Sequence, residues 1–280
     1  MQKRVLAIHD LSCEGRCSLT VALPVLSACG IHTAALPTAL LSTHTGVFTD
    51  YACLDLTEEM RRVLAHWDTL ALAFDGLYTG FLGSFEQISL VGGVLERYRQ
   101  EGGCTVVDPV MADHGCLYAT YTQEMAGGMG DLCRLADVIV PNLTEACILL
   151  DRPYTPSPDE GEICGLLEGL AARYGCSQAI ITGVRRGDQL GAAAFRAADG
   201  AFSFAGAAML PQVFYGTGDV FASALTAAAV LGHDVGSATR MAVDFTHEAM
   251  LHTLENGLPL HYGVAFEQAI PGLLRALGLA

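Results

Sequence analysis

An α/β fold, with helices packed around a mostly parallel β-sheet, is predicted by two features of the sequence. Short apolar runs alternate with longer amphipathic segments along most of the 280 residues, which is the pattern of successive β-α units. The composition, 51% apolar and only 16% charged residues, argues against disorder. A chain of this length is near the upper limit for one hydrophobic core, so we predict a single domain over residues 1–280.

The individual elements follow from the apolar runs and their flanking residues. The β-branched and uncharged runs predict strands buried on both faces, at Arg4–Ile8, His32–Leu36, Thr69–Phe74, Thr105–Val107, Val138–Val140 and Ala179–Thr182. Amphipathic periodicity predicts helices at Ser18–Ala28, Thr57–Ala65, Ser84–Tyr98, Thr122–Leu135, Thr144–Leu149, Asp159–Tyr174, Thr217–Val230, Ser237–Leu254 and Gly263–Leu277. Two further segments joined by Asp199-Gly200 predict an antiparallel hairpin, Gly191–Arg196 with Ala201–Ala205.

Charge and residue usage exclude several classes of function. A net charge of −15 disfavours nucleic acid and anionic membrane surfaces as partners, because both require a basic face. No run approaches the roughly 18 apolar residues of a membrane helix, and the N-terminal apolar run is too short for a signal peptide, so we expect a cytoplasmic protein. Lys3 is the only lysine, which rules out a P-loop and the strand lysine of protein kinases. The ten cysteines and nine histidines lack metal-ligand spacing, and we expect reduced thiols.

The strongest motif is Gly216-Thr217-Gly218-Asp219 at the start of a predicted helix. Glycines before a helix let consecutive backbone N–H groups converge on an anion, and the helix dipole adds positive potential. Such a cradle suits a phosphoryl group in transfer, and an aspartate in the first turn can accept the proton of an attacking hydroxyl. The alternative interpretation is a turn followed by a helix that Asp219 caps.

Carboxylates follow two predicted strands. Asp108 and Asp113 come after Thr105–Val107, and Glu145 follows Val138–Val140 and Asn142. The carboxyl ends of strands are where α/β sheets place ligands, and carboxylates hold the Mg²⁺ that phosphoryl transfer requires. Helix capping or a turn salt bridge would also explain Asp108 and Glu145. A further strand ends in Thr182-Gly183, whose hydroxyl and N–H could hold a phosphate.

In their order and spacing, the Gly216–Asp219 motif and the upstream Asp-Pro-Val-Met and Pro-Asn-x-x-Glu segments resemble the ribokinase-like superfamily along essentially the whole chain. The finer resemblance is to the pyridoxal kinases. Three segments carry it: Ser42-Thr43-His44-Thr45-Gly46, Tyr78-Thr79-Gly80-Phe81-Leu82-Gly83-Ser84, and residues 108–113 followed by His114-Gly115-x-Leu117-Tyr118. This resemblance implies a three-layer α-β-α sandwich with an antiparallel edge hairpin, and a homodimer that phosphorylates the 5′-hydroxymethyl group of pyridoxal, pyridoxamine or pyridoxine with ATP.

The resemblance also implies a role for each site residue. Asp219 would be the general base, with the N–H groups of Gly216, Thr217 and Gly218 stabilising the phosphoryl group. ATP would contact Asn142, Thr182 and Gly183, and the vitamin would contact Asp10, Thr45 and Phe81. Mg²⁺, with a monovalent cation such as K⁺ nearby, would be held by Asp108, Asp113 and Glu145. Residues 115–121 would form a flap that excludes water.

Several departures from the family pattern affect only the substrate. Asp10 stands where the family usually has serine, Thr43 where it has asparagine, Phe81 where it has tyrosine, and Ala112 where it has glycine. Two other functions therefore stay open. One is a hydroxymethylpyrimidine kinase of thiamine synthesis, and the other is a non-catalytic vitamin- or nucleotide-binding protein on the same fold. Retention of Asp219 beside the glycine cradle argues against the binding protein.

Overall fold

A nine-stranded, mostly parallel β-sheet is the centre of the computed structural model, which describes residues 1–280. Its nine strands are β1 (Arg4–Glu14), β2 (His32–Thr43), β3 (Cys53–Asp55), β4 (Phe74–Thr79), β5 (Arg99–Val107), β8 (Val138–Ile139), β9 (Gln178–Arg186), β10 (Gln189–Arg196) and β11 (Ala201–Ala208). The two remaining strands, β6 (Ala112–Asp113) and β7 (Cys116–Leu117), form a separate small hairpin. The order across the large sheet is β11-β10-β9-β8-β5-β4-β1-β2-β3. All pairs from β2 to β9 are parallel, whereas β3, β10 and β11 pair antiparallel at the two edges.

Helices cover both faces of this sheet. They are α1 (Leu19–Ala28), α2 (Thr57–Trp67), α3 (Phe85–Tyr98), α4 (Gln123–Cys133), α5 (Leu143–Leu149), α6 (Glu160–Tyr174), α7 (Thr217–Val230), α8 (Val235–Glu255) and α9 (Phe266–Ala276). One face packs its apolar core against α2 to α6, and the other packs against α1, α7, α8 and α9. This is the expected three-layer α-β-α sandwich, and its antiparallel hairpin β10–β11 is confirmed.

The predicted strand Thr69–Phe74 is wrong. Residues 68–71 form a turn and the strand begins at Phe74. Asp75 and Gly76 weaken the strand signal of this segment, yet each has a structural reason to be there. The Asp75 carboxylate accepts hydrogen bonds from Lys3 Nζ and the Arg4 N–H, both at 2.9 Å. At Gly76, a Cβ would lie 2.6 Å from a Val230 methyl carbon and 2.9 Å from one of Val5, so the close packing of α7 on the sheet requires glycine.

The other predicted elements are present, with shifted ends. The helix Thr217–Val230 has the bounds predicted for it, and strands β1, β2, β5 and β9 run several residues beyond the predicted runs. Edge strand β3 and the hairpin β6–β7 were not predicted, because two or three residues are too few to show a periodicity. All ten cysteines are free thiols, and half of them are buried. None of the helices combines the length and the apolar character needed to cross a bilayer.

Candidate active site

A cavity of about 490 Å³ opens at the carboxyl ends of the parallel strands. It brings together residues that are far apart in the sequence, because neighbouring parallel strands end at the same edge of the sheet. Most of the site residues predicted from sequence line it, namely Phe81, Asp108, Asp113, Asn142, Glu145, Thr182, Gly183, Gly216, Thr217, Gly218 and Asp219. Asp10 and Thr45 do not.

The glycine motif forms the entrance to helix α7. Gly216 is the N-cap residue and takes the left-handed conformation at φ 72°, which glycine adopts without strain. A Cβ on Gly216 would lie 2.1 Å from the Arg16 carbonyl oxygen, so the turn before α1 packs directly on this backbone. A Cβ on Gly218 would meet nothing within 4 Å. Gly216, Thr217 and Gly218 all line the cavity, and the N–H groups at a helix start have no partners within the helix, so this turn can serve as an anion site.

The N-cap residue of α7 is Gly216, and Asp219 is the third residue of the helix, so the interpretation of Asp219 as the cap is wrong. The half-buried carboxylate faces the cavity and interacts with the backbone N–H of Ser18. Burial is the main cause that raises the pKa of Asp219 to about 7; the Ser18 N–H opposes this shift, and the nearby Asp10 carboxylate contributes to it. A carboxyl with a pKa near neutrality suits a general base at physiological pH.

Asp108 and Glu145 form a pair of buried carboxylates beside Asp219. No protein group donates a hydrogen bond to the Asp108 side chain or forms an ion pair with it, and no helix begins at this residue, so neither structural alternative explains it. Burial raises the pKa of Asp108 well above its usual range, and the charges of Glu145 and then Asp219 add to this shift. Two carboxylates without a counter-charge in a buried wall are a favourable place for a cation.

Glu145 has a structural role as well. Together with Asn142 it forms a capping box at the start of α5, in which each side chain accepts the backbone N–H of the other residue. Its carboxylate also accepts the N–H groups of Met111, at 2.9 Å, and Ala112, at 3.4 Å. Burial raises the pKa of Glu145 to about 8, although these N–H groups oppose the shift. The capping interpretation of Glu145 is thus confirmed, and the same side chain also lines the cavity.

No group of three histidine, cysteine, aspartate or glutamate side chains is arranged to hold a metal ion without further ligands. Asp113 is exposed at the cavity mouth, where its carboxylate lies 3.6 Å from His114 Nε2. Mg²⁺ is commonly bound through only one or two carboxylates, with phosphate and water oxygens completing its coordination. The donor set of Asp108 and Glu145 fits that mode of binding, and Asp113 is less well placed.

The expected phosphate-binding residues lie together and adjoin Glu145, because Asn142 and Glu145 share the capping box of α5. Asn142 and Thr182 form a bridge between the segments that follow β8 and lie within β9, and the Thr182 N–H donates to the Pro141 carbonyl oxygen at 3.0 Å. The Asn142 side chain is engaged within the protein, since its amide nitrogen donates to the Ala112 carbonyl oxygen at 2.7 Å. Gly183 follows in the left-handed conformation at φ 74° and is exposed to the cavity.

Of the expected substrate contacts, only Phe81 lies in the cavity, with its ring 6.0 Å from that of Tyr121 in an edge-to-face arrangement. Thr45 is exposed in a turn outside the cavity lining. The Asp10 carboxylate is buried behind Ser18. Neither Asp10 nor Thr45 therefore lines the cavity, although the neighbouring His44 stacks with Tyr215, which does.

Two parts of the cavity were not predicted from the sequence. One is Ser18, which lines the wall next to Asp219 and carries no motif that would identify it. The other is the end away from the carboxylates, which is mainly apolar and is formed by Leu190, Ala207, Met209, Leu210, Phe214, Val243, His247 and Met250. Only the short distance in sequence from Met209 and Phe214 to Gly216 could have indicated that end.

Comparisons with known proteins identify the family. The family model described as phosphomethylpyrimidine kinase matches residues 22–263. A Bacteroides thetaiotaomicron protein, provisionally described as a phosphomethylpyrimidine kinase, is 36% identical, with a TM-score of 0.93 over 97% of this chain and 94% of its own. A second crystal form of that protein, obtained with pyridoxal, gives a TM-score of 0.92 over 98% of this chain and 96% of its own, again at 36% identity.

Pyridoxal kinase from Lactobacillus plantarum is 35% identical, with a TM-score of 0.91 and coverage of 98% of both chains. Pyridoxal kinase from Leishmania donovani, solved with ADP and pyridoxamine, is 21% identical with a TM-score of 0.86 over 97% of this chain and 96% of its own, and it supports the fold alone. No match was found among curated proteins. The family model spans most of the chain, and the cavity brings together Asp219, the glycine turn before α7 and the paired carboxylates. The chain therefore belongs to the phosphomethylpyrimidine kinase family of ribokinase-like phosphotransferases, alongside the pyridoxal kinases that it resembles.

Proposed function

We propose that this protein transfers the γ-phosphoryl group of ATP to the 5′-hydroxymethyl group of a vitamin B6 compound: pyridoxal, pyridoxamine or pyridoxine. The observation that carries the proposal is Asp219, whose pKa is about 7 and which stands at the N-terminal turn of α7 in the same cavity as Asp108 and Glu145. Base, anion cradle and cation ligands are the parts that phosphoryl transfer to an alcohol requires.

In this mechanism, Asp219 accepts the proton of the substrate hydroxyl as its oxygen attacks the γ-phosphorus. The N–H groups of residues 216–218 stabilise the charge on the moving phosphoryl group, and the helix dipole of α7 adds to that effect. Asp108 and Glu145 would hold Mg²⁺, which when bound neutralises phosphate charge. Asn142, Thr182 and Gly183 also line the cavity and would position the phosphates of ATP.

The hairpin β6–β7 and the residues after it are the candidate flap. Residues 113–116 and 118–120 are exposed, and the Tyr118 ring reaches the cavity lining from this segment. Closure over bound substrates would exclude water, which otherwise competes with the alcohol as phosphoryl acceptor. The Gly115 N–H donates to Thr144 Oγ1 at 3.0 Å, so the hairpin is attached at the start of α5.

The choice of a B6 compound as acceptor is supported by the relatives. One structure of the 36% identical protein contains pyridoxal, and a 35% identical protein is a pyridoxal kinase. The half-buried Phe81, edge-on to Tyr121, supplies an aromatic wall against which a flat heteroaromatic ring can pack. Hydroxymethylpyrimidine is the second candidate acceptor, because the matching family model is named for phosphomethylpyrimidine kinase and this substrate is also a hydroxymethylated aromatic ring.

The test is an ATP-consumption assay with Mg²⁺ in which pyridoxal, pyridoxamine, pyridoxine and hydroxymethylpyrimidine are offered separately. The matched control is Asp219→Asn, which keeps the shape of the side chain and removes the base. We expect turnover of at least one B6 compound and a loss of roughly two to four decades in the variant, the usual contribution of a general base. Nucleotide affinity, measured by calorimetry, should change little.

Other outcomes would point elsewhere. Turnover of the pyrimidine alone would retain the mechanism and replace the substrate. Ligand binding without turnover of any acceptor would indicate a non-catalytic binding protein. Full activity in Asp219→Asn would show that the base is misassigned.

A further inference from the structure

Ser18 has a backbone conformation that non-glycine residues rarely adopt. It lies at φ 50°, ψ −130°, at the N-cap position of α1, yet its side chain caps no N–H group of that helix. Such conformations are strained and persist only where the surrounding structure enforces them, which is most often at functional sites. Ser18 is also buried and lines the cavity wall next to Asp219.

The Ser18 hydroxyl is held by Asp10. It donates to Asp10 Oδ1 at 2.5 Å, and Ser12 Oγ donates to the other carboxylate oxygen at 3.0 Å. All three residues are buried, and Asp10 does not line the cavity. Both oxygens of Asp10 are therefore occupied by serine hydroxyls within the protein; burial raises the pKa of Asp10, and these two hydrogen bonds oppose that shift.

The Ser18 main chain contacts the other carboxylate. Its N–H makes no backbone hydrogen bond and lies beside the Asp219 carboxylate in the cavity wall, where it opposes the rise in the pKa of that carboxyl. The turn that contains Ser18 is pressed against the start of α7, since a Cβ on Gly216 would lie 2.1 Å from the Arg16 carbonyl oxygen. Asp10, Ser18 and Asp219 thus form a continuous series of neighbouring groups. The Ser18 side chain is bonded to one carboxylate, and its backbone N–H lies beside the other.

From this series we infer that Ser18 is a positioning residue for the catalytic base, and that Asp10 acts by holding Ser18 in its strained conformation instead of binding the substrate. The inference rests on the proposed role of Asp219. Without the hydrogen bond to Asp10, the Ser18 peptide can relax, and its N–H no longer orients the carboxylate. Asp10, which stands where the family usually has serine, then supplies the strong hydrogen-bond acceptor that the Ser18 hydroxyl needs.

The experiment is a double-mutant cycle on kcat and KM with Asp10→Ala, Ser18→Ala and the double variant. Misplacing a catalytic group by about 1 Å can cost on the order of 100-fold in rate, so we expect each single variant to lose roughly 10- to 100-fold in kcat. Because both changes break one hydrogen bond, the double variant should be no slower than the slower single variant, within about 2-fold. KM for the acceptor alcohol should stay within about 2-fold.

Two conservative variants sharpen the cycle. Asp10→Asn still offers an oxygen to the Ser18 hydroxyl, so it should recover most of the kcat lost in Asp10→Ala. Ser18→Gly tolerates the backbone conformation without the anchor, so it should be faster than Ser18→Ala. Thr239→Val is the control for loss of a buried hydroxyl, because Thr239 lies on α8 outside the cavity and bonds only the Val235 carbonyl oxygen. It should leave kcat unchanged.

The opposite pattern would overturn the inference. If Asp10→Asn and Asp10→Ala raise KM for the alcohol while Ser18→Ala has no effect, then Asp10 is a substrate ligand. Crystal structures of Asp10→Ala and Ser18→Ala give a readout that needs no substrate, and we expect a displaced Asp219 carboxylate in both. An unmoved carboxylate would refute the positioning role even if every acceptor proved inactive, so this failure and a failure of the proposed function are distinguishable.

Discussion

The pH dependence of turnover is the sharpest prediction of the Asp219 assignment. As a general base, Asp219 is active only when ionised. An aspartate with an ordinary pKa, near 3.8, would be ionised at every pH above about 5, and kcat/KM would be flat there. Burial in the cavity wall instead raises the pKa of Asp219 to about 7. We therefore expect activity to rise with pH through neutrality.

The magnitude follows from the fraction ionised. With a pKa of about 7, roughly nine-tenths of Asp219 is ionised at pH 8 and roughly one-tenth at pH 6. The acid limb of kcat/KM, which reports the free enzyme, should therefore fall by about tenfold between these values. The side chain is half-buried and opens on the cavity, so solvent limits any further rise of the pKa.

The assay is initial-rate kinetics from pH 5.5 to 9 at constant ionic strength, with a return to pH 8 after each acidic incubation to exclude unfolding. Glu145, with a pKa of about 8, is another group of this cavity that titrates in this range. The Glu145→Gln variant separates the two groups: it should be slower but keep its acid limb near pH 7. The residual activity of Asp219→Asn should lack that limb. A wild-type profile that is flat down to pH 5 would refute the reasoning.

Two substitution experiments test the surroundings of Asp219. Gly216→Ala should lower the free energy of unfolding, measured by urea denaturation, by about 3 kcal/mol or more. The left-handed backbone and the contact with the Arg16 carbonyl oxygen both oppose a Cβ at this position. Gly218→Ala should keep its free energy of unfolding within about 1 kcal/mol, because the new Cβ meets no atom within 4 Å, yet its kcat should fall. Equal destabilisation of the two variants would contradict this prediction. Asp108→Asn should raise Tm at pH 8 without Mg²⁺ by roughly 3 °C, because a carboxyl whose folded-state pKa is raised costs stability once it ionises above its unfolded pKa. The same variant should need more Mg²⁺ for turnover, and an unchanged Mg²⁺ titration would remove Asp108 from the cation site.

The sequence predicted those parts of the site in which local pattern and function coincide. The glycine motif and its helix are contiguous, so α7 could be placed with its observed bounds. Strand β4 could not be placed correctly, because the reasons for Asp75 and Gly76 are contacts with β1 and α7, which are distant in sequence. The strained conformation of Ser18 is likewise decided by Asp10 and by the packing of its turn on Gly216. For Glu145, the sequence left helix capping and cation binding as two alternatives. In the structure the same carboxylate caps α5 and lines the cavity, so one role does not exclude the other.

The burial of α7 has a consequence for how the molecule moves. Every residue from Val220 to Ala228 is buried, and the helix packs between α1, α8 and the sheet, so its amide hydrogens can exchange with solvent only through a large-scale opening of the fold. The hairpin β6–β7, in contrast, exposes residues 113–116 and is anchored through the buried Ala112 and the Gly115–Thr144 hydrogen bond. Asp219 is thus attached to a buried helix, whereas the exposed periphery of the cavity is where the molecule can adjust to different substrates.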